Sequence, residues 1–127
     1  MHEDLKEDYY ALVHRLSESS RLGGIMGILH WDQEVIMPAG AAESRAQQIG
    51  SLAGVLHEKT THPEMGRLLD RLWRSEENGF NTFEWCNIRE AHREFHKATR
   101  VSKTLVTELA ELSSRAHQIW VKARSEN

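Results

Sequence analysis

Apolar residues recur along this chain at spacings of three and four and almost never alternate, so the pattern is helical throughout. Leu5, Tyr9, Leu12 and Leu16 line one face of a first helix over about residues 4–21. Glu3, Asp4 and Glu7 place acids in its first turn, where the helix dipole favours them. Gly23-Gly24 is expected to end or kink that helix. A second helix, over about residues 22–35, is apolar around much of its circumference through Ile25, Met26, Ile28, Leu29 and Val35. It is expected to be central and largely buried, with Gly23, Gly24 and Gly27 permitting close backbone approach. Pro38 biases Met37 out of helical geometry, so this helix stops there, and Pro38-Ala39-Gly40 reads as a turn.

A third helix over about residues 41–59 has a narrow small-residue face of Ala42, Ala46, Ile49, Leu52, Ala53 and Leu56. Thr61 is placed to cap the next helix, with Pro63 in its first turn and Glu64 completing a capping box. That fourth helix carries Met65, Leu68, Leu69, Leu72 and Trp73 and is expected to stop near Asn78-Gly79. Asn81 and Glu84 form a second capping arrangement, with Phe80 and Trp85 at the spacing of a hydrophobic staple. The fifth helix, about residues 81–99, turns Ile88, Ala91 and Phe95 inward. Ser102 caps the last helix, with Val101 and Val106 at staple spacing. There Leu105, Leu109, Leu112, Ala116, Ile119 and Ala123 repeat at four, three, four, three, four, the pattern of a core seam. This helix runs almost to the last residue with no glycine stop, as though cut off. The expectation is an all-α bundle of about six helices, with no sheet, in a single helical domain over residues 1–127.

Composition narrows the function classes. The chain has 127 residues, 39% hydrophobic and 28% charged, with 16 basic against 19 acidic residues. These proportions are ordinary for a globular domain with a usable core. A net charge of -3 gives no basic field for nucleic acid. No apolar run approaches the roughly 20 residues of a membrane span, and the polar, acidic start does not read as a signal peptide. The single Cys86 cannot form an internal disulfide, which makes the cytoplasm the default location.

Candidate chemistry is sparse. His92 and His96 stand one turn apart on one helix face, a spacing that can bind metal. The zinc-protease motif needs Glu directly after the first His, and here that position is Arg93, with no third ligand evident. Surface or interface histidines are the preferred reading, with a small metal-binding bundle as the rival. His57-Glu58-Lys59 opens like the same motif but lacks its second His. There is no paired Glu-x-x-His, no nucleophile elbow and no phosphate loop. Cys86, mid-helix beside Trp85, reads as a small hydrophobe.

The densest stretch is residues 29–38, where Asp32 and Glu34 occupy the last turn of a helix, the end that favours cations. Two misplaced acids need partners, and Arg45, Arg89 and Arg93 are the candidates. A structural ion pair is preferred over a ligand-facing acid pair.

The same residues carry a family resemblance. The Trp31-Asp32-Gln33-Glu34 core with Met37-Pro38 resembles the early signature of the Taq-type metallocarboxypeptidases, the thermostable carboxypeptidase 1 family. Gly40 with Arg45, His57-Glu58-Lys59, Asn87-Ile88-Arg89-Glu90 with Arg93, and Ala116 with Trp120, Ala123 and Arg124 follow in matching order along nearly the whole chain. Ser102 stands where that family often has proline, and Ala39 lies in a turn usually richer in Pro and Gly.

The resemblance implies a mostly helical dimeric enzyme with a deep groove. Such an enzyme removes C-terminal amino acids from peptides with a divalent metal such as zinc. It covers only about the first quarter of such an enzyme. The family's His-Glu-x-x-His motif lies further on, so no catalytic, cofactor-binding or metal residue carries over to this chain. What it implies here is an amino-terminal helical domain, inactive alone and lacking its C-terminal catalytic part. Trp31, Asp32, Gln33, Glu34, Arg45, Arg89 and Arg93 would be its structural or groove-supporting residues. A homo-oligomer, a dimer burying parts of Trp73, Trp85 or Trp120, is expected. The alternative is a stand-alone interaction module built on the same scaffold.

Overall fold

The computed structural model describes residues 2–76 and 79–127 and, among them, contains helices and no strand. Five α-helices follow one another: α1 (His2–Val35), α2 (Ala42–Thr60), α3 (Pro63–Trp73), α4 (Thr82–Ala98) and α5 (Lys103–Ser125). A short 3₁₀ turn, Ala39–Ala41, precedes α2.

The two helices expected on either side of Gly23-Gly24 are one. A glycine in a helix interior costs only about 1 kcal/mol, and neither residue takes the left-handed conformation that ends helices; among the described glycines only Gly79 does, with φ 82°. The apolar residues on both sides of the glycines therefore share a continuous helix. It ends where Pro38 requires, with the Ile36 and Met37 amides both donating to the Asp32 carbonyl, at 3.0 and 2.8 Å.

Caps set the other boundaries. His62, rather than Thr61, is the N-cap of α3: its Nδ1 accepts from the Glu64 amide at 3.1 Å, and Pro63 sits in the first turn. Glu64 does not close a capping box there; its carboxylate takes the Arg67 guanidinium. α3 ends at Trp73, with Arg74 as its C-cap, several residues before the expected stop. Asn78 of that expected stop lies outside the described residues. The Asn81–Glu84 capping box of α4 forms reciprocally, with bonds of 2.9 and 3.0 Å. The Ser102 hydroxyl accepts from the Leu105 amide at the start of α5.

Packing groups the residues into two compact units. The first comprises Met1–Ser20 and Glu58–Val101. Its core joins Tyr9 and Leu12 of α1, Met65, Leu69 and Leu72 of α3 and Ile88 of α4. Leu5, Leu16, Phe80, Trp85, Ala91 and Phe95 pack around them, as the periodicity predicts. The Lys6–Glu84 ion pair (2.8 Å) and the Asn87 amide donating to the Tyr9 hydroxyl (3.0 Å) tie α1 to α4.

The second unit comprises Arg21–His57 and Ser102–Asn127. Ala46, Ile49, Gly50 and Gly54 form the buried face of α2. A Cβ on Gly50 would lie 2.4 Å from the Glu111 Cγ, and one on Gly54 would lie 2.9 Å from the Thr107 Oγ1, so these glycines let α5 come close. Two expectations fail in this unit. The 22–35 stretch is not largely buried: Ile25, Ile28, Trp31 and Val35 are all about half exposed or more, and no atom lies within 4 Å of a Cβ built on Gly23, Gly24 or Gly27. The seam of α5 is not a core either. Leu105, Leu109, Leu112 and Ile119 face solvent, and the buried residue of that helix is Ser114. α5 presents to α1 and α2 the face that can make polar contacts, so its leucines point the other way.

Candidate functional site

The acids that end α1 find their cations on other helices. α1 has no basic residue in its last turn. Arg45, in the first turns of α2, supplies the charge. Its Nη2 donates to Asp32 Oδ2 at 2.7 Å, its Nη1 to the Leu29 carbonyl at 2.8 Å and its Nε to Gln48 Oε1 at 3.1 Å. One guanidinium thus neutralises a carboxylate and sits on a carbonyl near the negative end of the α1 dipole. From α5, His117 Nε2 lies 3.2 Å from Glu34 Oε1. The pairing of Asp32 with Arg45 follows the sequence expectation. Glu34 pairs with His117 instead of an arginine, and Arg89 and Arg93 of the first unit take Glu90 and Glu94 of their own helix.

Between these pairs lies a buried polar contact that sequence reasoning missed. Gln33 Nε2 donates to the Ser114 carbonyl at 3.1 Å and to Ser114 Oγ at 3.0 Å, while the hydroxyl can donate back to Gln33 Oε1 at 3.3 Å. Both residues are under a tenth exposed. Gln33 is flanked by Asp32 and Glu34, and nothing in the sequence marks it or Ser114 as buried. Alongside, Arg115 makes a two-pronged bond to Glu43, at 2.9 and 2.7 Å, and reaches Glu111 at 3.3 Å. The hydrogen bond from Arg115 holds the Glu43 carboxyl below its ordinary range and raises the guanidinium in turn. Trp31 stays 55% exposed beside this array. The arrangement ties the end of α1 to α2 and α5 through ion pairs and hydrogen bonds.

In the first unit a different cluster forms. His92 and His96 approach with their Nε2 atoms 3.1 Å apart. Asp70 of α3 joins them, all three ligand atoms lying within 4.8 Å of one another. The third ligand that sequence reading lacked is therefore present, on a neighbouring helix. Trp73 stacks on the His92 ring at 4.3 Å and 10°, and Trp85 stacks on Trp73 at 5.5 Å. Burial, and then the proximity of His96, push His92 below its ordinary pKa against an opposing pull from Asp70. Two histidines and a carboxylate can hold zinc, but the zinc-protease arrangement also needs a general base beside the first histidine. Arg93 occupies the position that the general base would need, and Glu94 is engaged by Arg93 and Lys97.

Residues 11–127 match the family model described as carboxypeptidase Taq (M32) metallopeptidase. The chain belongs to that family. It is also similar to thermostable carboxypeptidase 1 of Thermus thermophilus, with 29% identity over 118 residues. That match takes in 91% of this chain but 23% of the relative, so the chain spans about a quarter of its length. No solved structure matches. Among the described residues, no helix is long and apolar enough to cross a membrane.

Proposed function

We propose that this chain acts as the amino-terminal helical domain of a metal-dependent carboxypeptidase that removes C-terminal amino acids from peptides. Alone it has no peptidase activity. The catalytic metal and its general base belong to the remainder of the enzyme, whose working place is the cytoplasm. Within the whole enzyme, Trp31, Asp32, Gln33, Glu34, Arg45, Arg89 and Arg93 are structural or groove-supporting residues.

The observation that carries this reading is the outward seam of α5. Leu109 is 52% exposed, Leu112 62% and Ile119 71%. Leucines at heptad spacing rarely stay in water when the helix could turn them inward. Here the inward face is committed to Gln33, Glu34 and Glu43, so the leucines serve a further surface. The occupant we assign is the catalytic part of the same enzyme, because the chain spans only a quarter of its relative. Without that part, two copies pair through this seam and Trp120.

Three measurements test the reading. The pure chain, supplied with zinc or cobalt, releases no C-terminal amino acid from a peptide; chelator-sensitive release would overturn the assignment of the catalytic group elsewhere. Light scattering reads a dimer that Leu109→Asp with Leu112→Asp converts to monomer; a clean monomer in the unsubstituted chain at high concentration contradicts pairing. Immunoblotting of source cells detects a band several-fold heavier than 14.6 kDa. A band at that mass would replace this reading with a stand-alone interaction module.

A further inference from the structure

The geometry points to a divalent transition-metal site made by Asp70, His92 and His96, clasping α3 to α4. This goes beyond the carboxypeptidase reading and does not depend on it.

The two imidazoles already hold the spacing that a metal requires. Zinc–nitrogen bonds of about 2.0–2.1 Å in tetrahedral geometry put two ligand nitrogens roughly 3.3 Å apart. The His92 and His96 Nε2 atoms are 3.1 Å apart. Both converge through the same ring atom, as two histidines one helical turn apart can. The carboxylate of Asp70 comes from α3, with its ligand atom within 4.8 Å of both. Asp70 and His96 are exposed and His92 is half-buried, so a side-chain rotation completes the contact without moving backbone.

The surroundings favour a metal over a chance encounter of surface groups. His92 is held in place by the Trp73 face, and Trp73 by Trp85, so little ordering remains to be done on binding. The cation next to it in sequence, Arg93, is answered by Glu90 at 3.0 Å and Glu94 at 3.3 Å, which limits repulsion of an incoming ion. Two imidazole nitrogens and one carboxylate suit zinc, cobalt, nickel or copper and not calcium or magnesium. Three protein ligands leave a position for water. With Glu90 and Glu94 engaged by Arg93, the role assigned to the site is to hold an ion and tie helices. Binding would stabilise the first unit, because the ligands converge only when α3 and α4 are packed.

The rival account is a direct Nε2–Nε2 hydrogen bond between two surface histidines, in which Asp70 has no part. Calorimetric titration of the pure chain with zinc chloride separates the two. The expected result is one ion per chain, a chelator-reversible rise in melting temperature, and quenching by copper(II) of the Trp73 fluorescence that Trp73→Phe removes. Asp70→Asn, His92→Ala and His96→Gln should each weaken binding by more than about ten-fold, since even outer partners of a metal ligand are worth that much. His96→Gln changes an exposed side chain and keeps the test sound if His92→Ala unfolds. No zinc uptake at micromolar concentration overturns the site. So does loss in the histidine variants with Asp70→Asn unchanged, because α3 would then contribute nothing.

Discussion

Replacing Gln33 by leucine should reveal how much the buried polar contact at the end of α1 contributes. Leucine is close to glutamine in volume, so little cavity forms and the loss is chiefly of hydrogen bonding. Three contacts disappear: to the Ser114 carbonyl, to Ser114 Oγ, and from that hydroxyl to Gln33 Oε1. A neutral buried hydrogen bond contributes about 1 kcal/mol net, and a buried polar group left alone costs about 1–3 kcal/mol. The Ser114 hydroxyl can recover part of this by turning to a carbonyl one turn back on its own helix. The expected cost is therefore about 2 kcal/mol, or roughly 6–10 °C in melting temperature for a chain of this size. Ser114→Ala alone should cost about 1 kcal/mol, since the Gln33 side chain then keeps only its bond to the backbone carbonyl of residue 114. The double variant should cost less than the sum by about 1–2 kcal/mol, because apolar groups then face each other. Urea unfolding gives these values from the midpoints at constant slope. Trp31 and Trp120 report from the same unit, and circular dichroism follows the whole chain. Additivity of the two single costs within about 0.5 kcal/mol would refute the coupling.

Asp32→Ala should cost about 1–2 kcal/mol rather than the larger loss of a fully buried pair, because the Asp32 side chain is 30% exposed and Arg45 keeps the Leu29 carbonyl. Arg45→Met should cost more, since it strips Asp32, Leu29 and Gln48 together; the reverse order in urea melts would contradict the role given to Arg45. Gly24→Ala should stabilise the isolated chain by about 0.5–1 kcal/mol, because nothing lies within 4 Å of the added methyl and alanine favours the helix; a loss of stability would mean that another surface packs there. Glu84, bonded by Lys6 and then by the Asn81 amide, has its pKa held below the ordinary 4.5. Its contribution is complete above about pH 4.5 and fades as the pH falls through the lower folded value. The deficit of Glu84→Gln should therefore shrink between pH 7 and pH 3, and an equal deficit at both would remove the assignment.

How far the sequence reached differs from element to element. The Asn81–Glu84 box and the Ser102 cap were legible because capping is settled by residues three apart. So was the Pro38 stop, which is local sterics. The face of Leu5, Tyr9, Leu12 and Leu16 was legible because one helix alone defines it. The family could be seen in residues 29–38 and the matching motifs that follow. Gly23-Gly24 misled, because a glycine's local preference is worth about 1 kcal/mol and a long helix overrides it.

The direction in which α5 turns could not be read. Its leucine seam is periodic enough to predict a buried stripe, but periodicity says which residues share a face, not which face meets a neighbour. That choice belonged to Gln33, Glu34 and Glu43 on other helices, which drew Ser114, His117 and Arg115 inward. The same limit hid Asp70 from His92 and His96, 22 and 26 residues away in sequence and on another helix. The sequence by itself determined the all-helical class, the Asn81 and Ser102 caps and the family. The tertiary structure alone decided which charges pair, which face of α5 is buried and which side chains converge at His92. Local terms act within a turn of the chain, whereas these contacts depend on how separate helices pack.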